Sequence, residues 1–392
     1  MALDFPASPA TGATYTGPNG VIWQFDGAKW LSGTGTTVYA PITDAALLGN
    51  PTAPTPAAGD ADTSIATTAF VTNAVATSLH DVGRNYLHNS MMNVAQRGAG
   101  AFTTNATASL DRWALSFNLD TMSITQSPAS DSDRTAIGDE ETKYFLTNVF
   151  TGNAGASAFS SLIQRIENLR RLAGKTVVVS FWARATSGTP KLGINLRHAF
   201  GTGGSPSANY WVLPTGNSVT LSTTWTRYST VIVIPSVSGK TIGTNNDDST
   251  GLGFWFSSGS DNIAFAGNIG VQSSTIQLWG VQLELGTVAT PLEKLDPVTQ
   301  LQQCQRFYQV GQAVAGGYSA AAVNAQMTLA LPVTMRGLPG AISITVTANN
   351  DLSLTSPSQN GLTGGMILFG GATPAGAVAW GINRTFTASA DL

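Results

Sequence analysis

Charge is scarce in this chain of 392 residues: only 10% of them are Asp, Glu, Lys or Arg, against roughly 25% in average globular proteins. The net charge of −3 gives no electrostatic reason to expect nucleic acid or an anionic membrane as a partner. The hydrophobic fraction of 42% is still large enough for substantial cores. The remainder is rich in Gly, Ser, Thr, Asn and Ala, which favours β-structure with many turns.

Cysteine is almost absent as well. Cys304 is the only one, which excludes an intrachain disulfide, and its place in a helical pattern predicts a small buried side chain. The stretch MALDFPASPATGATYTG has neither a basic n-region nor an apolar h-region, so we expect no secretory signal. No apolar run approaches the roughly 20 residues that span a bilayer, so membrane insertion is not expected. These features predict a protein that matures in a reducing cytoplasm or does not need oxidation.

Motifs of catalytic and metal sites are also missing. The sequence contains no zinc spacing, P-loop, G-x-S-x-G or dinucleotide-binding fingerprint. Its three histidines have no i, i+4 partner on a helix: they are His80, His88 and His198. We therefore expect no cofactor and no bound metal.

Acidic residues give only weak signals of chemistry. Glycan depolymerases can use paired carboxylates, but adjacent acids in polar loops are usually solvated turn residues. Asp131, Asp133 and the run NNDD could offer oxygen ligands to calcium, although the further ligands that such a site needs are not visible in the sequence. We expect no enzymatic activity. The carboxylate candidates are Asp139, Glu140, Glu141, Asp247 and Asp248.

Residues 1–40 form a small aromatic-rich segment. The run GPNG predicts a turn, and Val21, Trp23 and Phe25 alternate onto one face of the strand that follows it. Asp26-Gly27 is a hairpin signal. We predict a β-hairpin whose aromatic rings are either its own small core or a surface that docks on a partner protein. These rings belong to Tyr15, Trp23 and Trp30.

Residues 41–84 combine a linker with a short helix. The run NPTAPTPAAGDADTS is rich in Pro, Ala and Thr and favours an extended chain. A helix is predicted over 65–80, with Asp62, Thr63 or Ser64 as its cap. Its narrow apolar stripe either gathers copies of the chain into a bundle or packs against the next domain. The stripe consists of Phe70, Val71, Val75 and Leu79.

Residues 85–295 are predicted to form one large β-domain. The runs TVVVSFWARA, TRYSTVIVIP, TGLGFWFSSG and IQLWGVQLELG have strand patterns, and Gly-rich turns separate them. One helix is predicted at ENLRRLAGK, with Gly174 as its C-cap. Many short strands with a lone helix indicate a β-sandwich or jelly roll.

Alternation also predicts which side chains share a face. Val177, Val179, Phe181 and Ala183 fall on one face of their strand. In the last strand the pattern puts Trp279, Val281, Leu283 and Leu285 together. Glu284 then lies on the opposite, solvent side, since acids are rarely buried.

Residues 296–392 are predicted to contain a connecting helix and a C-terminal β tip module. The helix covers 296–308, with Asp296 as N-cap and Pro297 at the first helical position. Leu301, Cys304 and Tyr308 share one stripe. Runs such as GAISITVTAN and RTFTASA return to strand patterning. A polar β module of this kind often closes its edges by oligomerising.

Several segments together resemble bacteriophage tail-fibre and related virion-appendage proteins, such as collar or head fibres. They spread over nearly the whole chain in the matching order, and none is a catalytic motif. The resemblance implies a homotrimeric, non-enzymatic fibre with an N-terminal virion-attachment unit, a carbohydrate-binding-like jelly roll and a C-terminal tip. The segments are FPASPATGATYTGPNGVIWQFDGAKW, NPTAPTPAAGDADTSIATTAFV, NYLHNSMMNVAQRG with LDRW downstream, SFWARA, LWGVQLELGTVATPLEKLDPVTQLQQCQRFY and FTASADL.

The resemblance also implies a setting for the protein. Phage proteins fold in the host cytoplasm and leave by lysis, so the expected final location is the virion. The expected partners are two further copies of the chain and other virion proteins of the tail, collar or head. In this scheme the hairpin aromatics attach the fibre and the stripe beginning at Phe70 forms the trimer stalk.

Aromatic side chains are the best candidates for a glycan site, because sugars stack on exposed aromatic faces. Trp255 lies between Phe254 and Phe256 and therefore points to the opposite face. The alternative is that such rings fill a second layer of the sandwich or a subunit interface. The four candidates are Trp182, Tyr210, Trp211 and Trp255.

We therefore expect a structural virion fibre that contributes to adhesion on a host-surface glycan. Two alternatives remain open: a tailspike-like glycan depolymerase, and a purely structural collar or head decoration without receptor binding. A secreted bacterial carbohydrate-binding module is disfavoured, because no secretory signal is expected.

Overall fold

The structure is a computed structural model that describes 4–18, 20–32, 53–56, 66–71, 83–105, 108–317, 324–336, 341–350, 353–358, 366–372 and 380–391. The chain divides into two compact units, Met1–Val75 and Ala76–Leu392. Within the described ranges, no helix has the length and apolar character needed to cross a membrane. Residues 68–71 of the predicted stalk are helical and include Phe70 and Val71, whereas Val75 and Leu79 lie outside the described residues.

The N-terminal unit is a three-stranded antiparallel sheet in the order β1-β2-β3. Its strands are β1 (Thr14–Thr16), β2 (Ile22–Phe25) and β3 (Trp30–Ser32). The Asp26 carboxylate accepts hydrogen bonds of 2.8 Å from the backbone N–H groups of Ala28 and Lys29, which closes the turn between β2 and β3. The predicted hairpin is present, and β1 extends it.

Aromatic rings form the small core of this unit. Phe5 stacks on Trp30 at 5.1 Å and meets Tyr15 and Trp23 edge to face at 5.1 and 5.3 Å. Such contacts stabilise a sheet too small to bury an extensive core. The three predicted attachment candidates therefore pack on one another through Phe5, and docking on a partner stays a prediction.

The second unit contains a β-sandwich of two six-stranded antiparallel sheets. The front sheet has the order β11-β10-β14-β8-β5, with β12 also paired to β10, and the back sheet has the order β13-β9-β15-β7-β6-β4. This arrangement confirms the predicted mainly-β fold. The strands are β4 (Gly100–Phe102), β5 (Ala114–Asn118), β6 (Thr121–Pro128), β7 (Tyr144–Thr151), β8 (Phe159–Glu167), β9 (Thr176–Ala185), β10 (Lys191–Ala199), β11 (Tyr210–Val212), β12 (Ser218–Thr220), β13 (Thr226–Val233), β14 (Ser249–Ser258) and β15 (Ser274–Leu285).

The two sheets meet through large apolar side chains. Phe181 of the back sheet contacts Phe254 of the front sheet edge to face at 5.0 Å, and Phe150 packs on Phe256 at 5.3 Å. The predicted inward face of β9 is confirmed, because its four members are all buried in this core: Val177, Val179, Phe181 and Ala183.

A β-bulge changes the predicted face of one residue in β15. Gly280 has φ +62°, and the register with β9 shifts between Trp279 and Gln282. The extra residue turns Trp279 to the outer side of the back sheet, while Val281 and Leu283 stay in the core. The prediction that Trp279 shares their face is therefore wrong.

Glu284 is buried, with 3% exposure, instead of lying on the solvent side as predicted. Its carboxylate accepts hydrogen bonds from Gln282 Nε2 at 2.8 Å, Thr290 N at 2.9 Å and Thr290 Oγ1 at 2.6 Å. The guanidinium of Arg84 lies 3.9 Å away. The chain after β15 folds back over this face and supplies Thr290, so the acid is covered yet hydrogen-bonded.

The helices correspond only in part to their predictions. The run ENLRRLAGK forms one 3₁₀ turn, Leu169–Arg171, because little chain remains between β8 and β9. A helix that was not predicted covers Asp131–Ile137, with a capping box between Ser130 and Asp133. The connecting helix Pro297–Gln305 has Asp296 as its N-cap, as predicted. It ends earlier than predicted, because Tyr308 already begins the next strand.

The C-terminal tip consists of two three-stranded sheets, β16-β21-β18 and β17-β20-β19. Its predicted β character is confirmed. The strands are β16 (Tyr308–Gly317), β17 (Asn324–Ala330), β18 (Ala341–Asn350), β19 (Ser353–Ser358), β20 (Met366–Ala372) and β21 (Trp380–Ser389).

Charged contacts fasten the connecting helix and tip to the sandwich. The Glu167 carboxylate, at the end of β8, lies 3.1 Å from both Arg306 and Arg336. Arg112 lies 3.3 Å from the ring centroid of Phe307, and Arg97 pairs with Asp391 near the chain end. Several charges that share partners form a stronger junction than isolated surface pairs would.

His88 makes the stability of this junction sensitive to acid. Its ring packs on Phe307 at 5.7 Å. Burial, together with the charges of Arg112, Arg171 and Arg306, lowers the pKa of His88 from 6.5 to about 3. Since the folded-state pKa is below the unfolded value, its contribution to stability is complete above pH 6.5 and is lost as the pH falls below that value.

We predict that His88→Gln flattens the pH dependence of stability between about pH 6.5 and 5. The free energy of unfolding of the native protein should fall by up to about 1.4 kcal/mol per pH unit more steeply than that of the variant. Urea unfolding at several pH values measures both slopes. Glu167 contributes little in this window, because its pKa is also lowered, from 4.5. Parallel slopes would contradict the prediction.

Candidate functional site

A groove of about 280 Å³ lies on the outer face of the front sheet. Side chains and glycines of β5, β8, β10, β11 and β14 line it, and Asn262 adds a residue from the loop after β14. Side chains alternate between the two faces along each strand. In β14, Leu252 and Phe254 point into the core, so Gly251, Gly253 and Trp255 lie on the outer face. The groove is therefore the outer side of the same strands whose inner side forms the core.

Aromatic side chains form one end of the groove. Trp211 of β11 and Trp255 of β14 meet edge to face at 5.6 Å. Phe265 stacks on Trp211 at 5.3 Å, and Phe159 of β8 packs on Trp255 at 5.4 Å. Trp255 is 4% exposed and supports the group from below, whereas Trp211 is half-buried. Trp211 is thus the more exposed of the two tryptophan rings.

The central strand gives the groove an open floor. In the β8-β14-β10 register, Gly251 pairs with Arg165 and Arg197, and Gly253 pairs with Ile163 and Asn195. Because Gly251 has no side chain, the floor is open at that position, whereas the Asn195 amide and the Trp255 indole nitrogen lie over Gly253. Glycine within a strand often marks the close approach of a ligand or another backbone.

Asn195 brings an unused hydrogen-bond acceptor to the floor. The side chain is fully buried, and its Nδ2 donates to the carbonyl of Phe265 at 2.8 Å. Its Oδ1 has no hydrogen-bond partner among the residues that the structure describes. A side chain at Gly253 would come within 2.6 Å of this oxygen. Buried polar atoms are nearly always paired, so this acceptor fits a ligand hydroxyl.

The structure brings together two of the four predicted aromatic candidates. Trp211 and Trp255 share the groove. Tyr210 turns the other way and packs on His198 and Phe200 at 5.3 and 5.8 Å, because adjacent strand residues point to opposite faces. Trp182 lies on the outer side of the back sheet, in the cluster that contains Trp279.

The larger groove side chains outside the prediction include Phe159, Arg165, Asn195 and Arg197. The runs FSSLIQRIE and KLGINLRHA carry the alternation that turns these side chains outward. The local sequence pattern does not show that β8 and β10 pair on either side of β14. This pairing brings these residues into one site.

The acids considered for catalysis hold loops. Asp247 accepts hydrogen bonds from Thr202 N at 2.7 Å and Thr202 Oγ1 at 2.6 Å, and the pKa of Asp247 is lowered by these bonds. Asp248 Oδ2 accepts from Leu169 N at 2.9 Å. Both acids lie in loops and accept hydrogen bonds from neighbouring backbone, as turn residues commonly do.

The other acids lie outside the groove. Asp139 pairs with Lys294 at 2.9 Å, and Glu141 lies 3.6 Å from the same ammonium. Asp133 accepts from Trp225 Nε1 at 3.0 Å and pairs with Arg184 at 2.9 Å. In the part of the chain that the structure describes, no three His, Cys, Asp or Glu side chains gather as a metal site would require.

Comparisons with known proteins find distant likenesses among solved structures. No family model matches the chain, and no curated protein sequence matches it. The enzymatically active domain of tailspike protein 4 from bacteriophage CBA120 aligns at 13% identity and a TM-score of 0.29, over 52% of this chain and 22% of that one. This chain thus spans about a fifth of that domain's length.

Two carbohydrate-binding modules align over nearly their whole length. The CBM22-1 xylan-binding domain of Paenibacillus barcinonensis Xyn10C has 10% identity and a TM-score of 0.29, over 53% of this chain and 98% of that one. The family 11 module of Clostridium thermocellum, in complex with a β-1,3-1,4-mixed-linked tetrasaccharide, has 9% identity and a TM-score of 0.27, over 48% and 96%. Similarities at such TM-scores and identities do not indicate what this chain does.

We predict that the two groove tryptophans contribute differently to stability. Trp255→Ala removes a buried ring and should lower the free energy of unfolding by about 3–5 kcal/mol. Trp211→Ala removes a half-exposed ring and should cost less than about 2 kcal/mol. Denaturant unfolding of both variants measures the difference. Equal losses would show that Trp211 is as much a part of the packing as Trp255.

Proposed function

We propose that the front-sheet groove binds a glycan, and that the chain is a non-enzymatic adhesion component of a bacteriophage fibre. The observation that carries the proposal is the combination of the Trp211 ring with the unpartnered Asn195 Oδ1 in one groove. Ligand sites typically combine aromatic walls with a few polar groups that fix orientation.

Each part of the groove suits a sugar ring. The apolar C–H face of a sugar packs on an indole such as Trp211. A sugar hydroxyl can donate to Asn195 Oδ1, which satisfies the buried acceptor. The glycine at 251 leaves room for the ring to lie close to the sheet. Together these features support a saccharide over a wholly apolar ligand.

The chemistry of the lining supports binding without cleavage. Glycoside hydrolysis usually needs two carboxyl groups, about 5–10 Å apart, around the scissile bond. The described lining residues include no Asp or Glu. Asp247 and Asp248 form hydrogen bonds to neighbouring loop backbone. A depolymerase would release reducing ends from a bound polysaccharide, and we expect none.

The virion part of the proposal rests on the resemblance of the sequence runs to phage appendage proteins. We propose that residues 1–40 attach the chain to other virion proteins, that three copies form a fibre, and that assembly takes place in the host cytoplasm. The compact aromatic core around Phe5 supports an autonomous attachment unit.

We predict that the protein is retained by a host-surface polysaccharide and that Trp211→Ala weakens this retention about tenfold. A tenfold loss corresponds to about 1.4 kcal/mol, in the upper part of the range for aromatic contacts. Affinity electrophoresis in gels that contain the polysaccharide gives the dissociation constants. Tyr144→Ala removes an exposed aromatic ring of the back sheet and is the matched control. Unchanged retention of the Trp211 variant would contradict the groove as the site.

The trimer is tested by the mass of the intact protein. Light scattering should give three times the 40.6 kDa of one chain. A monomer mass at micromolar concentration would contradict the fibre arrangement and leave the groove proposal unaffected.

A further inference from the structure

Two arginines lie on either side of the groove floor. Arg165 of β8 and Arg197 of β10 are both register partners of Gly251 on the strand between them. Neighbouring strands are about 4.8 Å apart, so the two side chains leave the same face of the sheet roughly 10 Å from each other. Since Gly251 has no side chain, none separates them.

The described lining of the groove carries positive charge only. Its fourteen residues include these two arginines and no Asp or Glu. Glu167, two residues beyond Arg165, binds Arg306 and Arg336. Asp391, whose charge also acts on Arg165, pairs with Arg97. The groove is thus a positive site in a chain whose net charge is −3.

The two guanidinium groups also act on each other. Burial and the charge of Arg197 lower the pKa of Arg165. The Arg197 guanidinium lies 5.5 Å from the ring centroid of Trp211, so the two arginines lie next to the aromatic end of the groove. An anionic group above Gly251 would interact favourably with both arginines and offset their repulsion.

Packing does not require glycine at position 251. A Cβ atom there would have its nearest neighbours at 3.6 Å, 3.8 Å and 4.0 Å, which are ordinary contacts. At Gly193 on the adjacent strand, by contrast, a Cβ would meet the Ala266 carbonyl oxygen at 2.1 Å. Glycine weakens a strand interior, so its presence between two arginines is best explained by space for a ligand.

We infer that the groove binds an acidic glycan whose carboxylate or phosphate lies over Gly251 and accepts hydrogen bonds from Arg165 and Arg197. The sugar ring that carries this group, or its neighbour, packs on Trp211. Guanidinium groups suit this role because they present paired N–H donors to an oxyanion. The inference rests on the proposed function and narrows its ligand to a negatively charged class.

The test compares polysaccharides that differ only in charge. Polygalacturonate, alginate and hyaluronan are each used in native form and after chemical reduction of their carboxyl groups to alcohols. Phosphomannan is used before and after phosphatase treatment, which separates phosphate from carboxylate recognition. Polyglutamate serves as a polyanion without sugar. Affinity electrophoresis at two salt concentrations gives the dissociation constant for each.

The variants separate the effect of Arg165 and Arg197 from that of the rest of the groove. Arg165→Gln combined with Arg197→Gln removes both charges, and the corresponding double Lys variant keeps charge without paired donors. Gly251→Ala adds a methyl group to the floor. Arg170→Gln changes an exposed arginine outside the groove and is the matched control. Thermal melts show which variants keep the native fold.

We expect at least one acidic polysaccharide to bind ten times or more tightly than its uncharged form. The double Gln variant should lose this preference and its salt dependence, and the double Lys variant should keep part of it. Gly251→Ala should weaken binding without lowering the melting temperature, and Arg170→Gln should behave as the native protein does.

Three results would count against the proposals in distinguishable ways. Equal binding of charged and uncharged forms would overturn the acidic class and leave glycan binding intact. Equal binding of polyglutamate would show simple attraction of polyanions and would also overturn it. Binding of no polysaccharide in either form would count against the proposed function itself. If the double Gln variant fails to fold, the dissociation constants of the native protein and the double Lys variant still show whether the groove prefers the acidic polysaccharide over its uncharged form.

Discussion

The contact between Phe181 and Phe254 joins the two sheets of the sandwich, and the groove depends on it. Strand residues alternate between faces, so an inward Phe254 turns Trp255, Gly253 and Gly251 outward onto the front of the sheet. The same rule turns Tyr210 inward and Trp211 outward. A shift of one residue in β14 would bury the glycine floor and expose the core. The hydrophobic core therefore fixes the position of every outward side chain in the site.

Strand β8 connects the groove to the junction with the tip. It carries Ser161, Ile163 and Arg165 into the groove, and two residues later Glu167 binds Arg306 and Arg336. Because those arginines neutralise Glu167, the acid adds little negative potential beside Arg165. The positive character of the groove thus depends partly on residues of the connecting helix and tip. Because only 10% of the residues are charged, each of these ion pairs has a larger effect on the local electrostatic potential.

Alternation in the sequence predicted the strands and most of their faces, since the inward residues of β9 follow the pattern along the whole strand. It failed at Gly280, where a bulge reverses Trp279, and at Glu284, which is covered by chain that lies later in the sequence. Trp211 and Trp255 could be singled out as outward aromatics. Arg165, Asn195 and Arg197 could not be recognised as one site, because the pairing of β8 and β10 with β14 is a long-range property that local patterns do not contain.

The central claim is that a glycan binds on the front sheet, and a crystal structure of the full chain with a retained oligosaccharide tests it most directly. The account predicts a sugar ring against the indole of Trp211, a hydroxyl within hydrogen-bonding distance of Asn195 Oδ1, and an acidic group between Arg165 and Arg197. Density for the sugar on the C-terminal tip or the back sheet, with nothing in the groove, would contradict it.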